Sequence, residues 1–319
     1  MTSLGWPEVP TLSETRAFAP GSIGNVGPGL DILGLAVAGA GDTVSARLGD
    51  RPGVIITESG SPDLPSDPNR NTAGLAAREV LRRAGLDGRF GVVLSIHKGL
   101  PLSGGQGGSA ASAVAAAVAV NHLAGGPLDR LALLQASLAA EEAVAGRHAD
   151  NLAPSLYGGA VLIRSLDPLD IVQLPVPARL LVVLARPAQR LRTADSRAVL
   201  PADVSRADAV HQAAQVAAMV AALHSGDIAL LGRAVDDRIA EPVRAPLLRG
   251  FPEAKRAALE AGAAGASISG SGPTAFALVD DPATGDRVAG AMAAAYRQAG
   301  IECETRVARV DRLGARIEP

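Results

Sequence analysis

A glycine-rich segment that runs directly into an alanine-rich apolar stretch is the feature that most limits the folds open to this chain. Residues 101–112 read Pro-Leu-Ser-Gly-Gly-Gln-Gly-Gly-Ser-Ala-Ala-Ser, and the apolar stretch 113–120 follows. Four glycines within five positions allow a tight turn that points backbone N–H groups inward. A helix that begins here adds unpaired amides and the positive end of its dipole. The segment therefore predicts a phosphate-binding loop that opens a helix.

This loop differs from the common P-loop of nucleotide-binding proteins. A P-loop has lysine and then serine or threonine after its last glycine, whereas here Ser109 follows Gly108 directly. The charge of the β- and γ-phosphates of a nucleotide must then be met by a metal ion and by amides. A glycine-rich turn that only caps a helix is the alternative explanation of the segment.

Composition and charge favour a two-part globular protein that acts on small molecules. The 319 residues exceed what one hydrophobic core usually supports, so two packed units are expected. A net charge of −2 without long charged runs offers no electrostatic surface for nucleic acid or an anionic membrane. Cys303 is the only cysteine, which excludes an internal disulfide and a cysteine-based metal cluster.

The sequence predicts a cytoplasmic protein. Residues 1–10 lack the basic start and apolar centre of a secretory signal. The longest apolar run, residues 113–120, is far shorter than the roughly 20 residues that a membrane span requires.

Local patterns predict a mixture of strands and helices divided by a proline-marked boundary. Apolar runs bounded by glycine and proline predict strands at 15–19, 32–38, 92–96, 159–163, 179–185, 264–268 and 275–279. Helical spacing predicts helices at 71–84, 128–145, 204–223, 228–237 and 253–261. Prolines between residues 167 and 177 mark the expected boundary between an N-terminal unit, 1–175, and a C-terminal unit, 176–319.

Three separated segments together resemble the signature motifs of one superfamily of small-molecule kinases. In the first, Asn25 and Val26 precede Gly-Pro-Gly-Leu-Asp-Ile-Leu-Gly; the second is the phosphate loop; the third, residues 267–277, reads Ser-Ile-Ser-Gly-Ser-Gly-Pro-Thr-Ala-Phe-Ala. They resemble the motifs of galactokinase, homoserine kinase, mevalonate kinase and phosphomevalonate kinase, the GHMP kinases. The first motif and residues 148–159, 193–201 and 241–247 are most similar to the homoserine kinase family.

The resemblance, which extends from residue 16 to about 278, implies a fold and a reaction. The fold would be a two-domain α+β kinase of the GHMP type with its active site in the interdomain cleft. A nucleotide-binding kinase domain would occupy 1–175, and a ferredoxin-like α+β domain 176–319. The implied reaction transfers a phosphoryl group from ATP to the side-chain hydroxyl of L-homoserine, a step of threonine biosynthesis. Mg²⁺ as cofactor and a homodimer are implied as well.

The phosphate loop departs from the family pattern at four positions. Ser103, Gly104, Gln106 and Gly108 stand where the family usually has glycine, serine, leucine and serine. Ser109 keeps the hydroxyl that the resemblance implies can reach Mg²⁺. The nucleotide-binding residues expected from the second and third motifs, with one from the first predicted helix, are Asn71, Pro101, Ser103, Gly104, Gly105, Gln106, Gly107, Gly108, Ser109, Ala110, Ser112, Gly270, Ser271 and Gly272.

The resemblance also implies an acidic metal ligand on the helix before residue 148. Glu141 and Glu142 are both candidates for this ligand, and Glu141 is favoured. Without the resemblance, adjacent glutamates on a helix are most simply solvated charges.

An amino-acid alcohol offers a carboxylate and an ammonium group for recognition. Arg197 and Arg244 suit the carboxylate because a guanidinium can bind it through two parallel hydrogen bonds, while Asp31 and Asn25 suit the ammonium and the hydroxyl. The resemblance adds His148 and Asp150 to the substrate-binding residues. It places Asp31, Thr193 and Arg244 among the catalytic residues. Asp31 is the candidate base by residue type, although substrate positioning alone can suffice.

Two other functions remain open at this point. A related kinase could act on another small alcohol such as mevalonate, which also has a carboxylate but has no ammonium to pair with Asp31. Alternatively, the altered phosphate loop could belong to a ligand-binding or regulatory relative that has lost turnover.

Overall fold

The computed structural model describes residues 12–319, and these residues form two β-sheets covered by helices. The segment 1–10, for which no secretory signal is predicted, lies outside the described residues. The first sheet has strand order β11-β1-β2-β4-β3, and β5 and β6 extend it from one end of β2. Its strands are β1 (Glu14–Gly24), β2 (Leu33–Leu48), β3 (Gly53–Glu58), β4 (Gly91–His97), β5 (Ala160–Leu166), β6 (Leu169–Leu174) and β11 (Arg316–Glu318).

The second sheet is antiparallel and has strand order β10-β7-β9-β8. Its strands are β7 (Leu181–Pro187), β8 (Gly265–Ile268), β9 (Ala275–Val279) and β10 (Cys303–Arg309). The helices of the first half are α1 (Thr72–Arg83), α2 (Gly108–Leu123), α3 (Arg130–Glu142) and α4 (Leu152–Tyr157). Those of the second half are α5 (Thr193–Ala198), α6 (Arg206–Ser225), α7 (Ile228–Arg233), α8 (Glu241–Arg244), α9 (Phe251–Glu260) and α10 (Pro282–Gln298), with a 3₁₀ turn at Ala245–Leu247.

Helix α2 is the central helix of the first half and is buried on nearly all sides. Its alanine-rich sequence is apolar around the whole helix, which is typical of a helix enclosed by other elements. It packs on β1 and β2 and between α1 and α3, and the small alanine side chains permit this close approach. Burial fixes the position of its N-terminus, which the phosphate loop precedes.

Helix α1 begins where the sequence predicts. Asn71 is its N-cap, and the side-chain oxygen of Asn71 accepts a hydrogen bond from the N–H of Ala73 at 3.0 Å. The basic residues Arg82 and Arg83 in its last turn complement the negative end of the helix dipole. Its apolar face, which includes Val80 and Leu81, lies in the core of the first half.

One apolar core joins the two sheets. Ile23 of β1 and Leu35 of β2 share this core with Val182 of β7 and Phe276 of β9, and Met219 of α6 packs into it. A further core lies on the other face of the second sheet, under α9 and α10. The shared core holds the two sheets together.

The predicted α+β class and most of the predicted elements are confirmed, with clear differences at their edges. Strand β1 continues past the predicted 15–19 to Gly24, because Pro20 and Gly21 lie at a register shift opposite β2 and the strand continues beyond them. The sequence analysis missed β3, β6, β10, β11, α4, α5, α8 and α10. Several of these are short or lie beside prolines, where local patterns are weak.

The domain boundary near residue 175 stays a prediction. It falls between β6 and β7, which belong to different sheets. The last strand, β11, pairs with β1 of the first sheet, so the end of the chain contacts the N-terminal half. Among residues 12–319, no helix is both long and apolar enough to span a membrane.

Candidate active site

A cleft of about 780 Å³ lies between the two halves of the structure. The first half contributes the phosphate loop and the N-terminus of α1, and the second half contributes residues 190–197 and the hairpin at 270–271. Its volume lies in the range of cofactor and ligand sites.

The phosphate loop requires glycine at two of its positions. Gly105 and Gly107 have left-handed φ angles of +72° and +69°. A Cβ atom at residue 105 would lie 2.6 Å from the carbonyl oxygen of Gly272, and one at residue 107 would lie 2.2 Å from the Oγ of Ser22. Both the backbone conformation and the close packing therefore exclude larger residues.

The carbonyl groups of the loop are hydrogen-bonded to the surrounding structure. Successive carbonyls bind donors from both halves of the chain: Gly104 O accepts from Thr274 Oγ1 at 2.5 Å, Gly105 O from Ser269 Oγ at 2.6 Å, and Gln106 O from Ser22 N at 3.1 Å. The backbone N–H groups of residues 105–110, by contrast, have no hydrogen-bond acceptor within residues 12–319. These free amides, at the N-terminus of α2, are suited to bind an anion.

A buried ion pair lies beneath the first turn of α2. Lys98, at the end of β4, pairs with the Asp42 carboxylate and also donates to Gly108 O at 2.9 Å and to Ser112 Oγ at 3.0 Å. A Cβ atom added at Gly108 would lie 3.4 Å from the ammonium nitrogen of Lys98. The loop has no lysine of its own, but a lysine from the preceding strand places a positive charge beside it. Sequence analysis missed Lys98, although its place three residues before Pro101 is a usable signal.

Of the two candidate metal ligands, Glu141 is the one that lies at the phosphate loop. Its Oε2 is 3.2 Å from Ser109 Oγ, whereas Glu142 points outward and pairs with Arg147 at 3.1 Å. Glu141 is only 6% exposed, and burial raises its pKa. No arginine, lysine or histidine of the described chain forms an ion pair with it. A buried carboxylate of this kind favours a cation nearby.

Most of the predicted nucleotide-binding residues line the cleft, and two do not. The side chain of Gln106 is buried and donates to Thr274 Oγ1 at 3.3 Å, so it faces the second half of the chain. Gly272 lies behind the hairpin, with its carbonyl against Gly105. Asn71 borders the cleft as the cap of α1 and donates to Pro65 O at 2.9 Å. The other predicted nucleotide-binding residues lie on the wall of the cleft.

The loop before β2 has an unusual backbone. Asn25, Val26 and Asp31 have φ angles of +67°, +50° and +61°, although none is glycine. Left-handed geometry in a β-branched valine is costly, and such strain concentrates at functional sites. Asn25 stabilises the loop, since its N–H donates to Asp150 Oδ2 at 3.1 Å, its Nδ2 donates to Gly270 O at 3.0 Å and its Oδ1 accepts from the N–H of Asp31 at 3.0 Å.

The two predicted arginines occupy different environments. Arg197 makes a two-point ion pair with Asp31, with N–O distances of 2.5 and 3.2 Å. Arg244 is buried and donates from Nε to Ser196 O at 3.2 Å and from one terminal nitrogen to Gly270 O at 3.1 Å. Burial lowers the pKa of Arg244, and neighbouring Arg197 adds to this. Both arginines line the cleft, whereas Asp31 contacts it only through Arg197.

Asp150 is a buried carboxylate at the inner end of the cleft. Burial raises its pKa from 3.8 to about 6; Asp31 raises it further, while His148 and Arg197 oppose the shift. Its Oδ1 has no hydrogen-bond partner among the described residues, and His148 Nδ1 lies 3.8 Å away. The packing leaves no room to relax, because a Cβ at Gly24 would lie 2.3 Å from Asp150 Oδ2.

The remaining predicted residues also border the cleft. The other ring nitrogen of His148, Nε2, lies 3.2 Å from Ala145 O. Thr193 begins α5, and its hydroxyl is 3.4 Å from that of Ser271. Sequence analysis missed several residues that line the cleft: Thr72, Arg70, Arg190 and Arg192, which no motif marks, and Asn151, which lies within the segment 148–159.

An anion site and a small polar pocket open into one cleft, which is the arrangement of a kinase for a small molecule. Two family models match the chain: the GHMP kinases N terminal domain over residues 71–159 and the GHMP kinases C terminal model over residues 219–298. A homoserine kinase of Chlorobium phaeovibrioides is 41% identical, covering 96% of this chain and 100% of its own length. That of Arabidopsis thaliana is 43% identical, with coverages of 97% and 85%.

Solved structures give the same result. The crystal structure of homoserine kinase from Cytophaga hutchinsonii matches with a TM-score of 0.92 and 38% identity, and the match covers 99% of this chain and 100% of that one. Mevalonate kinase of L. major, at 18% identity and a TM-score of 0.69, shares the fold. The chain belongs to the homoserine kinase family of the GHMP kinases.

The raised pKa of Asp150 predicts a stability that falls with pH. Between the ordinary pKa of 3.8 and the folded value of about 6, the folded chain binds more protons than the unfolded one. Stability from this group is therefore present below pH 4 and lost as the pH rises through 6, a loss of roughly 3 kcal/mol. Asp150→Asn should be more stable than the wild type at pH 7.5 in urea unfolding, and the difference should disappear near pH 4.

Asp203→Asn, at an exposed position, is the control and should leave stability unchanged at either pH. An Asp150→Asn protein that is less stable than the wild type at pH 7.5 would contradict the raised pKa.

Proposed function

We propose that this chain transfers the γ-phosphoryl group of ATP to the side-chain hydroxyl of L-homoserine and releases O-phospho-L-homoserine and ADP. The observation that carries the proposal is a pocket of paired opposite charges, Asp31 with Arg197 and buried Arg244, that opens into the same cleft as the phosphate loop. A zwitterionic amino acid matches these charges. The activity of the relatives at about 40% identity supports the same substrate.

Phosphoryl transfer needs positioning and charge stabilisation more than covalent chemistry. The free amides at the N-terminus of α2 would bind the phosphates, while the ammonium of Lys98 supports the first turn from below. Arg244 has its Nε engaged by Ser196 O and one terminal nitrogen by Gly270 O, so the remaining N–H groups of the terminal nitrogens would face a substrate carboxylate. Asp31 would receive the substrate ammonium. The free oxygen of Asp150 would accept a hydrogen bond in the same pocket, since a group with pKa about 6 is largely ionised at pH 7.

Mg²⁺ fits the oxygen atoms at the start of α2. Ser109 Oγ and the buried, unpaired Glu141 carboxylate lie 3.2 Å apart, and hard oxygen donors of this kind suit Mg²⁺. When bound, the ion would neutralise charge on the transferring phosphate. A homodimer, a cytoplasmic location and a domain boundary near residue 175 accompany the proposal as predictions.

A coupled assay of ADP release tests the substrate. ADP formation should depend on both L-homoserine and Mg²⁺, and mevalonate should be turned over at least about a hundredfold less efficiently, because Asp31 would then have no ammonium partner. ADP formation without an added alcohol serves as the background. Efficient turnover of mevalonate with none of homoserine would overturn the substrate assignment. Binding of ATP with no turnover of either alcohol would indicate a ligand-binding relative.

The metal assignment is tested by removing each oxygen ligand. Ser109→Ala and Glu141→Gln should each raise the Mg²⁺ concentration for half-maximal activity by about tenfold or more, since each removes a ligand or its charge. Glu142→Gln is the matched control on the same helix, and its exposed carboxylate should be dispensable. A large effect of Glu142→Gln with a silent Glu141→Gln would reverse the assignment. Magnesium titrations of ADP release at fixed ATP give these values.

Arg244 is tested by a change that keeps its charge. Arg244→Lys loses the planar donor pair, so KM for homoserine should rise about tenfold or more, equivalent to about 1.4 kcal/mol, while KM for ATP changes little. Arg256→Lys, at an exposed position on α9, should leave both KM values unchanged. Equal increases in the two KM values would indicate a distorted cleft and would remove Arg244 from direct contact with the substrate.

A further inference from the structure

A buried amide, that of Gln212 in α6, lies between the two segments that carry the ionic residues of the amino-acid pocket. Its Nε2 donates to Pro28 O at 2.8 Å and to Asp237 Oδ1 at 2.8 Å. Its Oε1 accepts from the N–H of Arg238 at 3.3 Å. Both amide protons and the amide oxygen are thus used, and the side chain is only 8% exposed. Buried amides with a full set of partners fix the groups around them in one arrangement.

On one side, Gln212 reaches the segment that orients Arg244. The Asp237 carboxylate accepts hydrogen bonds from the three N–H groups of residues 239–241, at 2.8, 3.0 and 2.9 Å. Helix α8 follows immediately, is a single turn and ends at Arg244. A single turn is not stable by itself, so its direction depends on the groups that bind its first N–H donors. Asp237, held by Gln212, therefore sets where Arg244 points.

On the other side, Gln212 binds the loop that ends at Asp31. Pro28 lies in the middle of this loop, whose strained backbone needs outside support. The neighbouring Gly27 packs against the segment before Asp237, since a Cβ at residue 27 would lie 3.0 Å from Val235 Cγ1. The loop and the segment before α8 are thus connected at two points, directly through Gly27 and Val235 and indirectly through the amide of Gln212.

We infer that Gln212 and Asp237 are positioning residues that set the separation between Asp31 and Arg244, and with it the discrimination in favour of a short zwitterionic alcohol. This inference rests on the proposed function, in which Asp31 binds the ammonium and Arg244 the carboxylate. Neither Gln212 nor Asp237 lines the cleft, so their effect passes through Pro28 on one side and α8 on the other. Among the described residues, the hydrogen bonds of Gln212 and Asp237 reach no residue of the phosphate loop, so changes at this pair should alter ATP binding little.

The test compares variants at residue 212 with a matched change on the same helix. Gln212→Met keeps the size of the side chain and removes all its hydrogen bonds. Gln212→Glu replaces the Nε2 donor by a carboxylate oxygen that faces two acceptors, Pro28 O and Asp237 Oδ1, and so adds repulsion at the same contacts. Gln215→Met, at a half-buried position on α6, is the control. For each protein, we measure KM for homoserine and for ATP and the calorimetric Kd of homoserine. We also compare kcat/KM for homoserine with kcat/KM for 4-hydroxybutyrate, which lacks the ammonium.

Both changes at residue 212 should raise KM and Kd for homoserine about fivefold or more and reduce the preference over 4-hydroxybutyrate, with KM for ATP within about twofold. Gln215→Met should match the wild type. A Gln212→Met protein with a lower Tm and kcat but an unchanged Kd and substrate preference would have lost only structural support, and the inference would be wrong. Wild-type affinity in Gln212→Glu, or an equal rise in both KM values, would overturn it too.

The calorimetric measurement separates this inference from the proposed function. A wild-type protein that binds homoserine but does not phosphorylate it would overturn the proposed function alone, because the Kd values of the variants still decide the positioning role. A wild-type protein that does not bind homoserine would overturn both.

Discussion

The phosphate site depends on a simple requirement: an anion can approach backbone N–H groups only if the neighbouring carbonyls are turned away and satisfied elsewhere. Here the partners come from distant parts of the chain, Ser22 of the first strand and Ser269 and Thr274 of the second half. The loop therefore acquires its shape only when the two halves are packed together. This is why the cleft, the shared apolar core and the anion site form one structural unit.

Burying charged side chains at the site costs free energy of desolvation, and the structure shows two different arrangements of such charges. The Asp42 carboxylate and the Lys98 ammonium satisfy each other beneath α2, and Ser112 and backbone groups complete their hydrogen bonds. Asp150 has no such partner, and its pKa rises accordingly. A fully compensated pair contributes rigidity, while an uncompensated carboxylate lowers stability until a ligand supplies the missing donor. The Asp42–Lys98 pair is therefore suited to structural support, and Asp150 is suited to binding a ligand.

Sequence reasoning succeeded where the physical cause was local. The glycine spacing of the phosphate loop and the Asn71 cap follow from a few neighbouring residues, and the structure contains both. The choice of Glu141 over Glu142 as metal ligand stays a prediction, which the 3.2 Å distance from Glu141 to Ser109 supports. Gln106 was expected at the nucleotide, yet its amide turns toward Thr274, 168 residues away along the chain. The pairing of Gln212 with Pro28 spans 184 residues. No local pattern encodes such contacts, because they depend on how the two sheets pack.

Under the proposed function, the ion pair between Asp31 and Arg197 explains why a zwitterion suits this pocket. Without a ligand, the two charges satisfy each other at a distance of 2.5 Å and neither is left unpaired. An amino acid brings one charge of each sign, so the pocket can exchange its internal pair for two pairs with the ligand and remain neutral. A hydroxy acid brings only the carboxylate, which Arg244 would bind, and it offers no cation to Asp31. Charge balance within a partly buried cleft thus favours substrates that carry both groups.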